Sequence, residues 1–595
     1  MTADLQAVRD HVLAVLDAAD RQAAEMGAGR ATGHVDLAGQ VVADLKVVLG
    51  RVVADLDLMR ARIGAPAAPV QSVGIAASIR LPTHDICIAM SHQFRADRVN
   101  HPPNRRAVDL IVSRMDDCLA GLHPLLASER RSWCRIRCNA LVVEVGKIGV
   151  LGEMLPAAAA VPDDSLVMRP HSAFVRDAFA AGDHDHVRLT RSMRRFYARL
   201  EKLKCMARDA CRYRTVYCQY LSLMAGAVYY SGKPELARVE SEALSVKPDI
   251  QMVKYMWNMS EQAAGRVLFH LTFPPIGTHF CFVVDARDLP DAERAVCADQ
   301  PPVTCRFLFA RGGLTLGESL SLCPSWPLSR DIWRNVQGPL ALNGDPPGAV
   351  VLHFHGGGFV GQTSWSHQTY TRKWANSTGF PVLSCDYRLA PEHRFPAAVD
   401  DAWLCYLWVR AHAERCLGVP PSRIILAGDS AGGNLCAAIA VRAIQRNVPL
   451  PMGLLLAYPV MCVSRDVFYP SMLSCLEETM VPFGFLLVCL DAYVSDRREA
   501  ISNPELSPGV ATDDILQRFP PTRLMVGTND PLLDQCIEFA ERLRHLDRNV
   551  DLQVYPQFGH GFLSFDNLLV GIRQARTSIE QCNTWLRDLA NVPTV

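Results

Sequence analysis

The apolar run Ile424–Ala427 leads into Gly428-Asp429-Ser430-Ala431-Gly432-Gly433, a turn from which the organisation of the C-terminal half of this 595-residue chain follows. The spacing G-x-S-x-G is typical of a sharp connection between a strand and a helix that lifts a serine hydroxyl out of a sheet. A side chain at Gly428 or Gly432 would collide with the strand or the helix of such a turn. The pattern therefore predicts that Ser430 is a nucleophile.

A second glycine-rich stretch, His353-Phe354-His355-Gly356-Gly357-Gly358-Phe359-Val360, precedes this turn in the chain. Backbone N–H groups of such a loop hold the oxyanion that forms during acyl transfer. The start of the helix after the serine favours negative charge at the same place. We expect the amides of Gly357, Gly358 and Ala431 to be the donors.

Three further residues of these two motifs are expected to support the site. His355 and Gly356 are predicted to shape the glycine loop, and the histidine is not expected to transfer protons there. Asp429 is predicted to stabilise the turn beside the nucleophile.

Acyl transfer by a serine requires a base and an orienting carboxylate, which in this arrangement follow the serine in the order acid, then histidine. Asp530 comes after the predicted strand Arg523–Gly527, at the strand end where ligands collect in open α/β sheets. His560 follows the next strand and has a glycine on either side. An aspartate before proline is often only a helix N-cap, and Asp534 is a weaker candidate inside the helix. Chain order and position favour Asp530 and His560.

Short strand patterns and helical patterns alternate through the C-terminal part of the chain. This alternation predicts the α/β class, with a mostly parallel sheet and helices on both of its faces. The predicted strands cover 349–354, 380–387, 424–427, 453–458, 522–526 and 551–555, and the predicted helices cover 396–413, 431–445, 531–546 and 570–590. We place this catalytic domain at 326–595.

The preceding region, 1–325, is predicted to be a mainly helical domain with a lipid-binding, lid or interaction role. Its helical patterns cover 5–16, 37–56, 108–119, 196–220 and 252–268, and short strand patterns follow at 279–284 and 303–309. The apolar stretch Val216–Tyr230 is too short for a membrane span and carries Gln219 and Ser222, so we expect a buried helix there.

Composition argues against several classes of protein. Lys plus Arg and Asp plus Glu both number 61, so bulk charge does not point to nucleic acid. Twenty scattered cysteines without a C-x-x-C pair indicate reduced, packed thiols in a cytosolic protein. The stretch Gly182–His186 is predicted to be a solvated loop and not a metal site. We expect no cofactor, no metal, no transmembrane segment and no secretory signal.

Four stretches carry a resemblance to a known family: HFHGGGFVGQTS, DYRLAPEHRFPAAVDDA, LAGDSAGGNLC and FGHGFL. Together they resemble the hormone-sensitive lipase family of α/β-hydrolases, and the residues around Met256–Glu261 resemble the N-terminal domain of that family. The resemblance implies a neutral lipase for diacylglycerols, other acylglycerols and sterol esters, with Ser430, Asp530 and His560 as its triad. It also implies a cytoplasmic protein that is recruited to lipid droplets and forms a homodimer.

One interval departs from this family. Its mammalian lipases carry a long phosphorylated insertion between the serine and the acid. Here Tyr458–Asp530 has room for little beyond ordinary helices and strands, and it contains no Arg-Arg-x-Ser. The sequence therefore predicts a short form without the regulatory insertion.

Two other functions stay open at this point. The same fold could serve a short-chain carboxylesterase or an amide deacetylase, because fold does not determine substrate. A non-catalytic receptor for a small molecule is the other alternative. The gibberellin receptors resemble this family but have lost the histidine, which is present here as His560.

Overall fold

The computed structural model describes residues 172–180, 186–310, 346–464 and 467–591, apart from short gaps within these ranges, together with Arg114, Val143 and Lys147.

Several sequence predictions lie outside the described residues. These are the helical patterns over 5–16 and 37–56, and all of the loop at 182–186 except His186. The pattern over 108–119 is described only at Arg114, which is helical. The domain boundary predicted at 325 also lies outside the described residues and stays a prediction.

One sheet of eight strands organises the described part of the chain. Its strands in chain order are β1 Thr278–Val284, β2 Val303–Phe309, β3 Val350–Phe354, β4 Val382–Asp386, β5 Ile424–Asp429, β6 Gly453–Ala457, β7 Thr522–Asn529 and β8 Val550–Gly559. Across the sheet the order is β1-β2-β4-β3-β5-β6-β7-β8. The β1–β2 and β2–β4 pairs are antiparallel, and all other neighbours are parallel. The predicted α/β class with a mostly parallel sheet is confirmed.

Helices connect and flank these strands. In the described residues they are α1 Ala173–Ala180, α2 His186–Cys211, α3 Val216–Ser231, α4 Pro234–Val246, α5 Ile250–Trp257, α6 Asp291–Val296, α7 Gln368–Thr378, α8 Ala397–Leu417, α9 Ala431–Gln445, α10 Pro470–Ser474, α11 Phe483–Tyr493, α12 Asp513–Leu516, α13 Leu533–His545 and α14 Arg576–Leu589. The four helices predicted in the C-terminal part correspond to α8, α9, α13 and α14, and α9 has the predicted bounds.

The central strands are buried along their whole length. Every residue of β3, β5 and β6 is buried, as expected for parallel strands that helices cover on both faces. Their sequences are accordingly near-continuous apolar runs, such as Gly-Leu-Leu-Leu-Ala in β6. The predicted serine, aspartate and histidine directly follow the carboxyl ends of β5, β7 and β8, respectively.

Two features of this architecture were not predicted. The strands β1 and β2 join the same sheet as the C-terminal strands, because the β2 edge pairs with β4 from Thr304–Asp386 to Leu308–Val382. The helix α7 was also missed. Its sequence, Gln-Thr-Tyr-Thr-Arg-Lys-Trp-Ala-Asn-Ser-Thr, has no apolar stripe, yet most of its side chains are buried.

The chain divides into two compact units. One contains residues 170–200, 249–465 and 485–595, and therefore the whole sheet. The other contains residues 1–169, 201–248 and 466–484, and its described part is 201–248 and 467–484, apart from short gaps, together with Arg114, Val143 and Lys147. In this second unit a small core forms from Cys205, Tyr230 and Ala237.

The stretch predicted as a buried helix, Val216–Tyr230, is helical but not buried. Val228 is 78% exposed and Tyr217 is 72% exposed, and only Gly226 and Tyr230 are buried. The prediction was wrong because apolar composition alone does not show whether another element covers a helix. None of the described helices has both the length and the apolarity needed to cross a membrane.

Candidate active site

Ser430 lies at the sharp turn between β5 and α9. Its backbone has φ 54° and ψ −119°, a strained conformation for a residue with a side chain. The Ser430 amide donates a hydrogen bond to the Ala457 carbonyl at 2.9 Å, which fixes the turn to the neighbouring strand β6. The surrounding sheet thus imposes the strain and holds the hydroxyl in one position.

The glycines beside the serine are required by close packing. A Cβ atom on Gly432 would lie 1.9 Å from the Phe354 carbonyl oxygen, and one on Gly428 would lie 2.4 Å from the backbone of Gly432. Non-bonded heavy atoms cannot lie this close together, so a side chain at either position would clash with the neighbouring backbone. The steric reason given for these two glycines from the sequence therefore agrees with the packing of β3, β5 and α9.

His560 connects the serine to the aspartate. Its Nε2 lies 2.8 Å from Ser430 Oγ, and its Nδ1 lies 2.8 Å from Asp530 Oδ2. Because a carboxylate only accepts hydrogen bonds, this geometry requires the proton on Nδ1 and leaves Nε2 as the acceptor for the serine hydroxyl. All three side chains are buried. The structure brings together the three residues that the sequence singled out as nucleophile, acid and base.

Further contacts hold the members of this triad in place. Asp530 Oδ1 accepts a hydrogen bond from the Leu532 amide at 2.9 Å, so the carboxylate is fixed at both oxygens. The ring of Tyr458 meets the His560 ring edge-on, with centroids 4.8 Å apart. Asp534, the weaker candidate, lies in the first turn of α13, as predicted.

The glycine loop after β3 adopts positive φ angles, which glycine accommodates without strain. Gly357 has φ 109° and Gly358 has φ 58°, and a Cβ on Gly357 would lie 2.1 Å from the Gly361 carbonyl oxygen. Among the described residues, none accepts a hydrogen bond from the amides of Gly357, Gly358 or Ala431. These are the three amides predicted as oxyanion donors, and they are available to a ligand.

Asp429 links the glycine loop to the serine turn. Its Oδ1 accepts hydrogen bonds from the Gly356 amide at 2.9 Å and from the Tyr370 hydroxyl at 2.7 Å. His367 Nε2 lies 3.5 Å from the same oxygen. Burial opposes ionisation of Asp429, but His367 and these hydrogen bonds outweigh it and lower the pKa of the carboxyl below its usual range. Asp429 is therefore a buried carboxylate that stabilises both motifs.

His367 completes this buried ion pair. Its Nε2 lies 3.2 Å from the Gly356 amide nitrogen and 3.5 Å from Asp429 Oδ1, and its Nδ1 lies 2.9 Å from the Thr363 carbonyl oxygen. Burial disfavours the charged ring, yet the Asp429 carboxylate and the Thr363 carbonyl raise the pKa of His367 above its ordinary value. Tyr370 extends the network to His353, whose Nε2 lies 3.1 Å from the tyrosine hydroxyl.

His355 packs as a structural side chain. Its Nδ1 lies 2.7 Å from the Gly356 carbonyl, and its ring stacks on Tyr387 with centroids 4.3 Å apart. Burial lowers the pKa of His355 to about 4, so the ring is neutral at pH 7. These contacts are those of a residue that shapes the loop.

Sequence reasoning missed His367, Tyr370 and Tyr458. The first two belong to the polar segment around α7, which shows no pattern that separates them from surface residues. Tyr458 directly follows β6, and its position at the end of a strand was the available signal.

One group among the described residues has donors placed for a metal ion. The Sγ atoms of Cys305, Cys385 and Cys405 all lie within 4.8 Å of one another and are buried. Cys305 Sγ is 3.4 Å from Cys385 Sγ and 3.6 Å from Cys405 Sγ. None of these is disulfide-bonded. The thiols belong to β2, β4 and α8, and none of them contacts the triad.

Fold and site together define an α/β-hydrolase with a serine-centred site. Residues 351–564 match the sequence model of the alpha/beta hydrolase fold family. The chain is 34% identical over 305 residues to human hormone-sensitive lipase, a match that covers 48% of this chain and 28% of the human protein. It is 35% identical over 238 residues to a carboxylesterase of Mycobacterium tuberculosis, covering 40% of this chain and 72% of that protein. The chain belongs to the hormone-sensitive lipase family of α/β-hydrolases.

The extent of these matches differs between relatives. The chain spans 28% to 39% of the length of the mammalian hormone-sensitive lipases that it matches. Among solved structures, an esterase from Pyrobaculum calidifontis is 26% identical with a TM-score of 0.45, covering 57% of this chain and 94% of that chain.

Proposed function

We propose that this chain is a serine ester hydrolase that cleaves acylglycerols, especially diacylglycerol, and also sterol esters, through an acyl-enzyme on Ser430. The observation that carries the proposal is the continuous hydrogen-bonded row from Asp530 through His560 to Ser430. Beside it lie three backbone amides that donate to no described residue. A serine, its base, an orienting carboxylate and an oxyanion site are what ester hydrolysis by acyl transfer requires.

In the first half of the reaction Ser430 Oγ attacks the ester carbonyl carbon while His560 Nε2 takes the hydroxyl proton. The carbonyl oxygen becomes an oxyanion, which accepts hydrogen bonds from the amides of Gly357, Gly358 and Ala431. The carbon–oxygen bond to the alcohol then breaks, and the His560 imidazolium returns its proton to the leaving alkoxide. Asp530 remains ionised and stabilises the imidazolium.

In the second half water replaces the alcohol. His560 Nε2 takes a proton from the water, whose oxygen attacks the acyl carbon bound to Ser430. The same three amides hold the second oxyanion. The bond to Ser430 Oγ breaks, the serine recovers its proton from His560, and the fatty acid leaves.

The class of substrate rests on the relatives. The match to human hormone-sensitive lipase supports a lipase. The family resemblance implies acylglycerols and sterol esters as substrates, and a cytoplasmic protein that associates with lipid droplets and forms a homodimer. A second candidate, a short-chain carboxylesterase, is favoured by the mycobacterial carboxylesterase, because the match covers 72% of that protein. We place the lipase first because the match to human hormone-sensitive lipase extends over more of this chain, 48% against 40%.

The Ser430→Ala variant tests the chemistry. We expect kcat for a soluble nitrophenyl ester to fall by roughly 10⁴-fold or more, because the nucleophile is removed while the rest of the site remains. Circular dichroism and the unfolding midpoint should stay close to those of the parent protein. Ser502→Ala, at an exposed serine, is the matched control and should keep full activity.

Covalent labelling with a fluorophosphonate separates an enzyme from a receptor. The parent chain should be labelled at Ser430 and the alanine variant should not. A parent chain that stays unlabelled and turns over no ester would contradict the proposal and favour a binding protein.

A series of substrates then separates the two candidate enzymes. Turnover of emulsified diacylglycerol and of long-chain nitrophenyl esters supports the lipase. Turnover restricted to acetyl and butyryl esters supports the short-chain carboxylesterase.

A further inference from the structure

The helix α3 carries its polar and small residues inward and its large apolar residues outward. The residues that face the rest of their unit are Gln219, Ser222, Leu223, Gly226, Ala227 and Tyr230. The residues most exposed at the surface include Tyr217, Tyr220, Leu221, Met224, Val228 and Tyr229. A surface helix of a water-soluble unit normally has the opposite arrangement. The outward apolar face is therefore a feature that needs a partner.

The inward face shows that this orientation is fixed by packing. Gly226 allows α3 to approach α2, since a Cβ there would lie 3.0 Å from Met206 Cγ. One turn further along the helix, the buried Tyr230 hydroxyl donates to Asp209 Oδ2 at 2.9 Å and lies 2.7 Å from Arg208 Nη2. Rotation that buries the apolar face would break these contacts. Within the described residues of this unit, the face is therefore presented and not concealed.

The helix and its two flanking turns carry charge of a single sign. From Arg212 to Lys233 the chain contains three basic residues, Arg212, Arg214 and Lys233, and no acidic residue. The carboxylates that flank this segment are held by two arginines: Asp209 and Glu240 pair with Arg208, and Glu235 and Glu242 pair with Arg238. The segment itself thus carries positive charge at both ends of the apolar face.

We propose that the outward face of α3 lies on a lipid–water interface that carries negative charge, and so brings the enzyme to its emulsified substrate. This inference rests on the proposed lipase function. The apolar side chains would enter the acyl region, and the tyrosines would sit at the polar boundary, where amphipathic rings are favoured. The three basic residues would pair with anionic headgroups. Sixteen residues give a helix of about 24 Å, which suits a helix lying in the surface plane.

A second copy of this chain fits the face less well. In an antiparallel pairing of two α3 helices, Arg212 and Arg214 of one copy would face Lys233 of the other. A parallel pairing would bring each basic residue against its own equivalent. Both arrangements place like charges together at the edge of the contact, whereas an anionic lipid surface neutralises them.

The test compares two pairs of substitutions in the full chain. Leu221→Gln/Val228→Gln removes apolar surface from α3 at residues that are 49% and 78% exposed. The control, Val296→Gln/Ile501→Gln, makes the same kind of change at isolated residues that are 56% and 50% exposed. Glutamine is a good helix former, so α3 should persist.

Binding is measured by flotation with vesicles of phosphatidylcholine containing roughly one third phosphatidylglycerol, a composition that gives a negative surface. We expect the α3 variant to bind at least about tenfold more weakly than the parent chain, because buried apolar area is lost. Its turnover of emulsified diacylglycerol should fall by a similar factor below saturation. Turnover of a soluble nitrophenyl ester should stay unchanged, and the control should match the parent in all three assays.

The charge component is tested separately. Arg212→Gln/Arg214→Gln/Lys233→Gln should weaken binding to the anionic vesicles and remove most of its salt dependence, while Arg498→Gln/Arg573→Gln should not.

Equal vesicle binding by the parent chain and the α3 variant would overturn the proposal. So would sedimentation showing that the α3 variant converts a dimer of the parent chain to monomers, since the face would then bind a second copy. Failure of the lipase function itself would appear differently, as absent turnover of emulsified diacylglycerol by the parent chain even where that chain binds the vesicles.

Discussion

At the scale of single residues, the carboxylate of Asp429 determines how the two glycine-rich motifs meet. It accepts hydrogen bonds from the Gly356 amide and the Tyr370 hydroxyl and pairs with His367. The glycine loop is thus attached to the residue next to Ser430. A buried charge with this many partners is a positioning device, because moving it would shift the loop relative to Ser430.

Asp429→Asn should lower kcat for soluble esters by roughly 10- to 100-fold with little change in KM. The reason is that hydrogen bonds to a charged group contribute about 1.5–3 kcal/mol, and their weakening loosens the glycine loop, which in the proposed mechanism acts mainly on the transition state. Steady-state kinetics on the purified variant measure both constants. Asp496→Asn, at an exposed carboxylate, is the control. A change confined to KM would show that Asp429 serves substrate binding instead.

Gly432→Ala should abolish activity and lower the unfolding midpoint. A methyl group there would lie 1.9 Å from the Phe354 carbonyl, so β3 or α9 must move. Gly232→Ala is the matched control, because its φ is −81° and its Cβ would make only ordinary contacts at 3.7 Å. Thermal unfolding and ester turnover of the two variants provide the comparison. A Gly432→Ala enzyme with parental activity would contradict this steric account of the turn.

At the scale of secondary-structure elements, an ion pair attaches the loop after β4 to helix α8. The Arg388 guanidinium donates to Asp401 Oδ1 at 2.8 Å and to Oδ2 at 2.9 Å, and the Arg388 amide also donates to Oδ2. Asp401 is buried, and this burial raises the pKa of its carboxyl despite the arginine. The pair therefore holds in place a loop that begins at the end of a central strand.

Arg388→Ala should destabilise the protein by roughly 3 kcal/mol at pH 7, because it leaves a buried carboxylate without its cation. The cost should shrink as the pH falls toward the raised pKa of Asp401, since the protonated carboxyl needs no cation. Urea unfolding at several pH values measures both effects. Arg498→Ala, which breaks an exposed pair with Asp496, should change nothing measurable. Equal effects of the two substitutions would contradict this account.

At the scale of the whole molecule, buried and half-buried histidines couple stability to pH. Burial lowers the pKa of His353, His355, His279 and His412 below the ordinary value, and the pKa of His355 and that of His279 fall to about 4. These rings are neutral in the folded chain and become charged on unfolding in mild acid. Each contributes stability that is present above the unfolded pKa of about 6.5 and is lost as the pH falls. His367 has a raised pKa and acts in the opposite sense, so its contribution is lost as the pH rises.

The free energy of unfolding should therefore fall between about pH 6.5 and pH 4, by roughly 1 kcal/mol per pH unit for each net proton taken up on unfolding. Urea titrations across this range measure the slope. His355→Gln should reduce the slope, whatever its effect on absolute stability, because one of the titrating rings is gone. A parental slope in the variant, or stability that rises in acid, would contradict this expectation.

The success and failure of sequence-based prediction have physical causes. The serine turn was predictable because two of its positions have room only for glycine, and this restriction shows in the local sequence. Asp530 and His560 were predictable because parallel strands place their carboxyl ends at one edge of the sheet. Helix α7 was not predictable because its polar residues are buried by tertiary contacts and show no periodicity. The exposure of α3 was predicted wrongly because an apolar sequence favours burial but does not show which element, if any, covers the helix.

The strand order has a consequence for the time at which the site becomes complete. Ser430 follows the central strand β5, whereas its base comes 130 residues later, after β8. During translation the nascent chain therefore contains the serine turn and the glycine loop long before it contains an imidazole to activate them. The proposed hydrolysis of esters can begin only once β8 has been synthesised and has paired with β7, so the nascent chain stays inactive from the synthesis of β5 to that of β8.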